Sequence, residues 1–587
     1  MTCNIIGISA HYHNAAVCLM RDGEVVAAAE EERFSRIKHD PSMPKAATRY
    51  CLRHAGLTMA DVDCVAYYEL PWKKLGRQIW MGLPGFARRA DEIGRMDPQR
   101  PEREIREILG FAGPVEFVEH HQAHAASAYH FSGFAEAAVL TVDGVGEWTT
   151  TSYGRGQGSS LELFEEIEFP NSIGLFYSTI TSYLGFRVNG GEYKVMGLAP
   201  YGQPRHVDAL RAMIQVEAGG RYRLDMRYFD FLQNERMYSD LLIEVLGAPS
   251  REPESELKPF HLDVARSVQV VLEEVMLAKT RYLHERVPSE NLCLAGGVAL
   301  NCVANRHILE KGPFRNLFVQ PAANDAGGSL GAAVMAHLRR SETPLPGERL
   351  SHVFLGPDYV NADIHRMLAS TPLAYEDFRG RSDELFAKVA ASIAAGKVAG
   401  WFQGRMEFGP RALGARSILA DPRNPIMRDH INALVKKREA FRPFAPSVLE
   451  EKQAEHFDLK HPSPFMLETC QVNSSLDLPA ITHVDLSARV QSVSAVDNPR
   501  YAALLEAFYR HTGCPILLNT SFNMRSEPIV CSPQDALYCF VRANLDLLVL
   551  EDFLIEKSAV PSFWNEALEI LGNAHQQGIT HRVYTFF

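Results

Sequence analysis

The sequence predicts an α/β protein of two or three domains, and three observations point there. Its 587 residues exceed what one hydrophobic core can serve. Short apolar runs bounded by glycine or polar turns alternate with segments of helical period. A strand–turn–strand pattern at the start recurs more than a hundred residues later.

The opening reads as strand, turn, strand. Ile5–Ile8 and Ala15–Met20 are apolar, Arg21-Asp22-Gly23 is a hairpin turn, and Glu24–Ala29 resumes the strand. A helix is expected from Met43 to Ala55. In the second copy Ala137–Val142 is a strand broken by Asp143-Gly144. Thr149–Tyr153 resumes it, the glycines from Gly154 to Gly158 are read as a turn, and Leu161–Phe169 follows. The repeat is one of pattern, with little identity.

His261–Arg286 reads as a long helix with Val264, Val268, Val271, Leu272 and Val275 on one face. Leu292–Leu294 then leads through Ala295-Gly296-Gly297 into an expected helix start, an arrangement that presents free backbone N–H groups to a phosphate. The same cue stands at Asn324-Asp325-Ala326-Gly327-Gly328, before an alanine-rich run to Ala336. The polar stretch Arg339–Ser351, with Pro344, Pro346 and Gly347, reads as a linker. Strands and helices resume beyond it, around Lys397–Phe402.

The composition, 46% apolar and 22% charged, is that of a soluble globular protein, and the formal net charge is -11. An acidic balance argues against a broad nucleic-acid surface. None of the ten cysteines forms a Cys-x-x-Cys pair, so neither a disulfide framework nor a cysteine zinc site is expected. No apolar run reaches the ~20 residues of a membrane helix, and the start carries no leader pattern. A cytoplasmic setting is the expectation.

Two clusters could do chemistry. His120-His121-Gln122-Ala123-His124 opens a helix-like segment, and a helix places His120 and His124 on one face, a spacing that suits two ligands of one metal. Asp143 and Asp325 sit at a strand end and a glycine turn, where ligands collect. Two imidazoles and two carboxylates suit iron(II), manganese or zinc. In the other half, Arg405–Arg442 carries nine Lys or Arg against four Asp or Glu in a net-acidic chain. These cations lie among Gly, Pro, Leu and Phe, where guanidinium forks are aimed at something such as a phosphate. Arg489 adds a further cation. Cys514–Asn523 reads as a buried strand ending in small polar groups, which an ordinary Asn/Ser turn would also explain. His13 and Lys38 flank the first hairpin, a placement that by itself means only surface.

These strings resemble the O-carbamoyltransferase family, which includes nodulation-factor and antibiotic-biosynthesis enzymes such as the tobramycin carbamoyltransferase. The resemblance is carried by EEERFSRIKH (Glu30–His39), HHQAH (His120–His124), GGEYKVMGLA (Gly190–Ala199) and AGGVALN (Ala295–Asn301). It continues through EFGPRALGARS (Glu407–Ser417), KKREAFRPFAP (Lys436–Pro446) and PILLNTSFN (Pro515–Asn523). It implies a duplicated actin/sugar-kinase-like domain of the tRNA threonylcarbamoyl transferase type, residues 1–345. A YrdC-like α/β domain, 352–587, follows, with its last residues packing back on the first. It also implies ATP and carbamoyl phosphate as substrates, a carbamoyl-adenylate intermediate, and a hydroxyl-bearing small molecule, such as a natural product, as acceptor. No nucleic acid or membrane is expected, and a homodimer is admitted.

By the same resemblance, Arg411, Lys436, Arg442, Arg489, Asn519 and Ser521 match the anionic adenylation site. His120, His124, Asp143 and Asp325 match a metal centre, with iron(II) foremost and manganese, zinc or magnesium as substitutes. Gly296, Gly297, Asn301, Gly327 and Gly328 match a nucleotide approach, and His13 and Lys38 match positions near the carbamoyl group. Family members often carry Asp directly after that His, where this chain has Asn14. The rival readings are an RNA-modifying threonylcarbamoyl transferase, which would show a basic face, and a non-catalytic actin-like switch, which would need neither cluster.

Overall fold

The computed structural model describes residues 2–81, 96–217, 220–232, 236–436 and 441–564. The chain forms two compact units. One comprises residues up to Glu31 together with His39–Leu350. The other comprises Glu32–Lys38 and the described residues from Ser351 onward.

The first unit contains two five-stranded sheets of one design. In the first sheet, β1 (Asn4–Ser9), β2 (Ala16–Arg21) and β3 (Glu24–Glu30) form an antiparallel meander. β4 (Cys64–Tyr67) then pairs parallel to β1, and β5 (Val115–Phe117) pairs parallel to β4. The order is β3-β2-β1-β4-β5. In the second sheet, β6 (Glu136–Val142), β7 (Thr149–Gln157) and β8 (Ser160–Glu168) form the meander. β9 (Asn291–Ala295) and β10 (Asn316–Val319) continue it in parallel, giving β8-β7-β6-β9-β10. Strand order and sense repeat strand for strand. This is the duplicated fold of actin and the sugar kinases.

Helices cover these sheets: α1 (Lys45–His54), α2 (Pro71–Trp80), α3 (Arg100–Leu109), α4 (His120–Tyr129), α5 (Ile173–Tyr183), α6 (Pro259–Arg286), α7 (Cys302–Lys311) and α8 (Asp325–Arg340). The valine stripe of α6 is buried, with Val264 and Val268 fully inaccessible. α8 packs on both β1 and α4. Gly331 permits that approach, because a Cβ there would lie 1.7 Å from the Ala123 carbonyl oxygen of α4.

Three local expectations need correction. The glycines from Gly154 to Gly156 lie inside β7, which is paired on both edges, so ladder hydrogen bonds override their turn preference. Gly297–Leu300 forms a single 3-10 turn, and the helix starts only at Cys302, capped by Asn301. Gly327 and Gly328 lie inside the first turn of α8.

The second unit is built on an eight-stranded mixed sheet. Its strands are β11 (Glu376–Asp377), β12 (Ala399–Phe402), β13 (Arg416–Ala420), β14 (Ala445–Leu449), β15 (Gln491–Val493), β16 (Ile516–Ser521), β17 (Leu547–Leu550) and β18 (Phe553–Glu556). They run in the order β11-β18-β17-β12-β13-β16-β14-β15. α9 (Ser382–Ala394), α10 (Pro499–Thr512) and α11 (Pro533–Arg542) pack on it, and one apolar core unites sheet and helices. The expected return of the last residues to the first domain falls outside the described residues. Among the described residues no helix is long and apolar enough to cross a membrane.

Candidate active sites

In the first unit α4 begins at His120, and its first turn is fixed from outside. The buried Glu147 carboxylate accepts the N–H of His120 at 3.0 Å and that of Leu70 at 2.6 Å. Burial raises the Glu147 carboxyl above its usual range. One helical turn then places the Nε2 atoms of His120 and His124 3.0 Å apart. Asp143, at the end of β6, brings Oδ2 to 3.4 Å from His120 Nε2. Asp325, at the start of α8, brings Oδ1 to 3.8 Å from both imidazoles.

All four residues are buried, and their ligand atoms lie within 4.8 Å of one another. Each carboxylate has one oxygen held by the protein. Asp143 Oδ1 accepts the Gly297 N–H at 2.8 Å, and Asp325 Oδ2 accepts the Tyr68 hydroxyl at 3.3 Å. Gly296, at φ +90°, makes the first contact feasible, because a Cβ there would meet the Val142 carbonyl oxygen at 2.3 Å. Asp325 Oδ1 is buried with no hydrogen-bond partner.

This arrangement could hold a divalent cation: two imidazole nitrogens and two carboxylate oxygens converge, with the outer oxygens oriented by neighbours. The residues fit such an ion. The two carboxylates make the pocket negative. Burial works against charging His120, but the Asp143 hydrogen bond and the nearby Asp325 carry it up to about 9. Burial likewise opposes ionisation of Asp143 and is outweighed by His120 and His124, so its carboxyl lies well below the usual range. Asp325 is lowered in the same way, against burial, by His13 and His124. The middle histidine, His121, turns away, its Nδ1 bonded to Thr141 Oγ1 at 2.6 Å.

His13 stands at the edge of this cluster, Nε2 3.9 Å from Asp325 Oδ2. Its Nδ1 lies 2.8 Å from Asn14 Oδ1, and Asn14 Nδ2 lies 3.2 Å from His39 Nδ1. Lys38 belongs instead to the second unit. Asn301 is spent on structure: it caps α7 and pairs reciprocally with Gln269 at 3.0 and 3.1 Å. Sequence reasoning missed Glu147, Tyr68 and Tyr12. Tyr12 is the neighbour of His13, and burial with Asp325 nearby raises its phenol. None of the three sits in a recognisable local pattern.

In the second unit Arg411 lies in the loop between Phe408 and β13, and that loop is clamped at several points. Glu407 Oε1 accepts the N–H groups of Leu413, Ala415 and Arg416 at 2.7, 2.8 and 3.1 Å. Trp401 Nε1 donates to Gly414 O at 2.9 Å, Gln491 Nε2 to Leu413 O at 2.7 Å, and Asn519 Nδ2 to Ala412 O at 3.2 Å. Asn519 also donates to Ser447 Oγ and Gln491 Oε1, each at 3.0 Å. Ser521, at the end of β16, donates to Asn523 Oδ1 at 2.7 Å.

Arg416 differs from its basic neighbours. It is fully buried, its guanidinium donates to the carbonyls of Gln403, Gly404, Ala415 and Pro357, and it lies over the Phe402 ring at 3.6 Å. Its role is to hold the start of β13. Arg442 and Arg489 are half-buried, just ahead of β14 and β15. Lys436 closes the π-helical turn Asn432–Lys436.

The first unit thus holds a buried His/Asp cluster and the second a clamped arginine loop, and the family models that match both make the chain a transferase. The chain belongs to the carbamoyltransferase family. The family model described as "Carbamoyltransferase N-terminus" matches residues 4–78 and 104–334, and "Carbamoyltransferase C-terminus" matches 390–557. Among curated relatives, an uncharacterised protein of Synechocystis is 46% identical over 97% of this chain and 100% of its own. The nodulation protein NolNO of Sinorhizobium fredii is 40% identical over 94% of this chain and 80% of its own. The 3'-hydroxymethylcephem-O-carbamoyltransferase of Amycolatopsis lactamdurans is 37% identical over 44% of this chain and 47% of its own.

Proposed function

We propose that this carbamoyltransferase is ATP-dependent and acts in two stages. In the second unit carbamoyl phosphate is hydrolysed to carbamate and phosphate. A carbamate oxygen then attacks the α-phosphorus of ATP, giving carbamoyl-adenylate and releasing pyrophosphate. In the first unit the oxygen of an acceptor hydroxyl attacks the carbamoyl carbon, and AMP leaves. The acceptor is a small molecule with a free hydroxyl, of natural-product type, as the name of the cephem relative suggests by analogy. The convergence of His120, His124, Asp143 and Asp325 carries this reading, since four buried groups with ligand atoms within 4.8 Å of one another could hold a divalent cation.

The clamped loop suits the first stage. Its backbone is fixed by Glu407, Gln491 and Trp401, so Arg411 stays in place as negative charge develops on the transferring oxygens. Lys436, Arg442 and Arg489 are assigned to the same anion. In the second stage a divalent ion, iron(II) foremost, held by the His/Asp cluster would supply Lewis acidity toward the nucleotide phosphate. His13 is assigned the acceptor's proton. With Nδ1–H donating to Asn14 Oδ1, its Nε2 is left as the accepting atom. Asn14 thereby performs the orienting task of the more usual aspartate without its charge. Gly296, Gly297, Gly327 and Gly328 are assigned to the backbone near the nucleotide.

The test separates the stages. Arg411→Ala abolishes carbamoyl phosphate-dependent pyrophosphate release from ATP. His124→Ala leaves that release intact while metal content falls and carbamoylation of a panel of alcohols, followed by mass spectrometry, is lost. Normal pyrophosphate release by Arg411→Ala, or equal loss of both steps in His124→Ala, would sink the two-site assignment.

A further inference from the structure

Residues Glu32–Lys38 leave the first unit's sheet at the end of β3 and belong to the second unit. They form one helical turn, Glu32–Ser35, which ends in left-handed backbone at Arg36, φ +60°. His39, just beyond the segment, is left-handed again at φ +59°. A non-glycine residue holds that conformation only where its surroundings fix it.

The surroundings are specific. Arg33 is 4% exposed. It pairs with Glu32 at 2.7 Å, and its Nη2 donates to the Gly409 carbonyl at 2.9 Å. Gly409 lies two residues before Arg411. Arg36 donates through Nη1 to Ile529 O at 2.7 Å and through Nη2 to Pro528 O at 2.8 Å, with Asp535 3.7 Å from its Nε. Phe34, between them, packs on Met406, Ala412, Ile529 and Cys531. The stretch gripped by Arg36 returns to the strand that ends in Ser521, through the Val530 N–H donating to Phe522 O at 2.9 Å. One short strap therefore holds the Arg411 loop from one side and the Ser521 flank from the other.

We propose that Arg33 and Arg36 are positioning residues for adenylation. They act through the Gly409 carbonyl and the Pro528–Ile529 carbonyls to set the spacing of the two flanks between which the anion is bound. The targets are backbone oxygens, so the strap needs donors in a fixed fork, which lysine does not provide. This inference rests on the second unit being the adenylating site.

The test uses the full chain and reads carbamoyl phosphate-dependent pyrophosphate release, with calorimetry of the second unit's transition in parallel. Loss of a charge-assisted bond at the loop predicts that Arg33→Ala and Arg36→Ala each lose about tenfold or more in kcat/KM. Arg36→Lys recovers less than half of that loss. Added guanidinium restores part of the turnover of Arg36→Ala, which a merely unfolded fraction would not show. If Arg33→Ala does not fold, Arg36→Ala decides, since its side chain is partly exposed. A folded Arg36→Ala releasing pyrophosphate at the wild-type rate overturns the inference, as does turnover that guanidinium leaves unchanged. Absence of release by the unaltered protein is a different result, and it overturns the adenylation reading itself.

Discussion

Glu407→Ala should strongly destabilise the second unit while leaving its apolar core intact. The Glu407 side chain is 3% exposed, and one of its oxygens serves three backbone N–H groups. Truncation orphans all three. An unsatisfied buried amide costs roughly 1–3 kcal/mol, so the lower end for three is about 3 kcal/mol. For a unit of this size that shifts the melting transition by about 6–12 °C. Glu407→Gln keeps an acceptor at the same position but loses the charge, which roughly halves such bonds. It should therefore fall between wild type and Glu407→Ala. Differential scanning calorimetry measures both variants, and Trp401 fluorescence reports locally because its indole donates to Gly414 in the same loop. A loss under about 1 kcal/mol in Glu407→Ala, or equal losses in the two variants, would refute the clamp.

Two further outcomes follow from burial. His130, at the end of α4, has its Nε2 buried without a hydrogen-bond partner, and burial pushes its pKa from 6.5 down to about 4. The folded state keeps it neutral while the unfolded chain takes up a proton below pH 6.5, so stability is lost as pH falls from 6.5 to 4 and is unaffected above. The loss is about 3 kcal/mol, read as the difference in unfolding free energy between wild type and His130→Phe across that window; parallel curves would count against it. Gly331→Ala places a Cβ 1.7 Å from the Ala123 carbonyl and must part α8 from α4. A cost of about 3 kcal/mol or more, with lower metal retention because Asp325 and the two histidines ride on those helices, is expected from melting and metal analysis.

The elements legible in the sequence were those with local causes. β1 to β3 announce themselves by apolar runs around an Asp-Gly turn, and α6 by its valine stripe. His120 and His124 could be paired because a helix converts a spacing of four into one face. Asp143 and Asp325 could be nominated from their strand-end and glycine settings, but only the folded sheets bring them to His120. Other features had no local signal. Gly327 and Gly328 look like a turn, yet helix pairing absorbs them. Arg416 looks like one more cation in a basic run, but four backbone carbonyls bury it. Nothing local in EEERFSRIKH singles out Arg33, and its partner, Gly409, lies 376 residues away. Long-range carbonyl contacts leave no compositional trace.

The strap has a consequence for synthesis on the ribosome. Glu32–Lys38 emerges more than three hundred residues before the unit it completes begins at Ser351. At roughly 5–20 residues per second, that is a wait of about 15–60 s, long after β1 to β3 can have paired. Throughout it the groups that Phe34 and Arg33 meet in the second unit, Met406 and the Gly409 carbonyl among them, have yet to be made. The second unit cannot finish as the chain is threaded out in order. Its assembly must capture a segment already moored by the first, which makes closure of this long loop a late event in maturation.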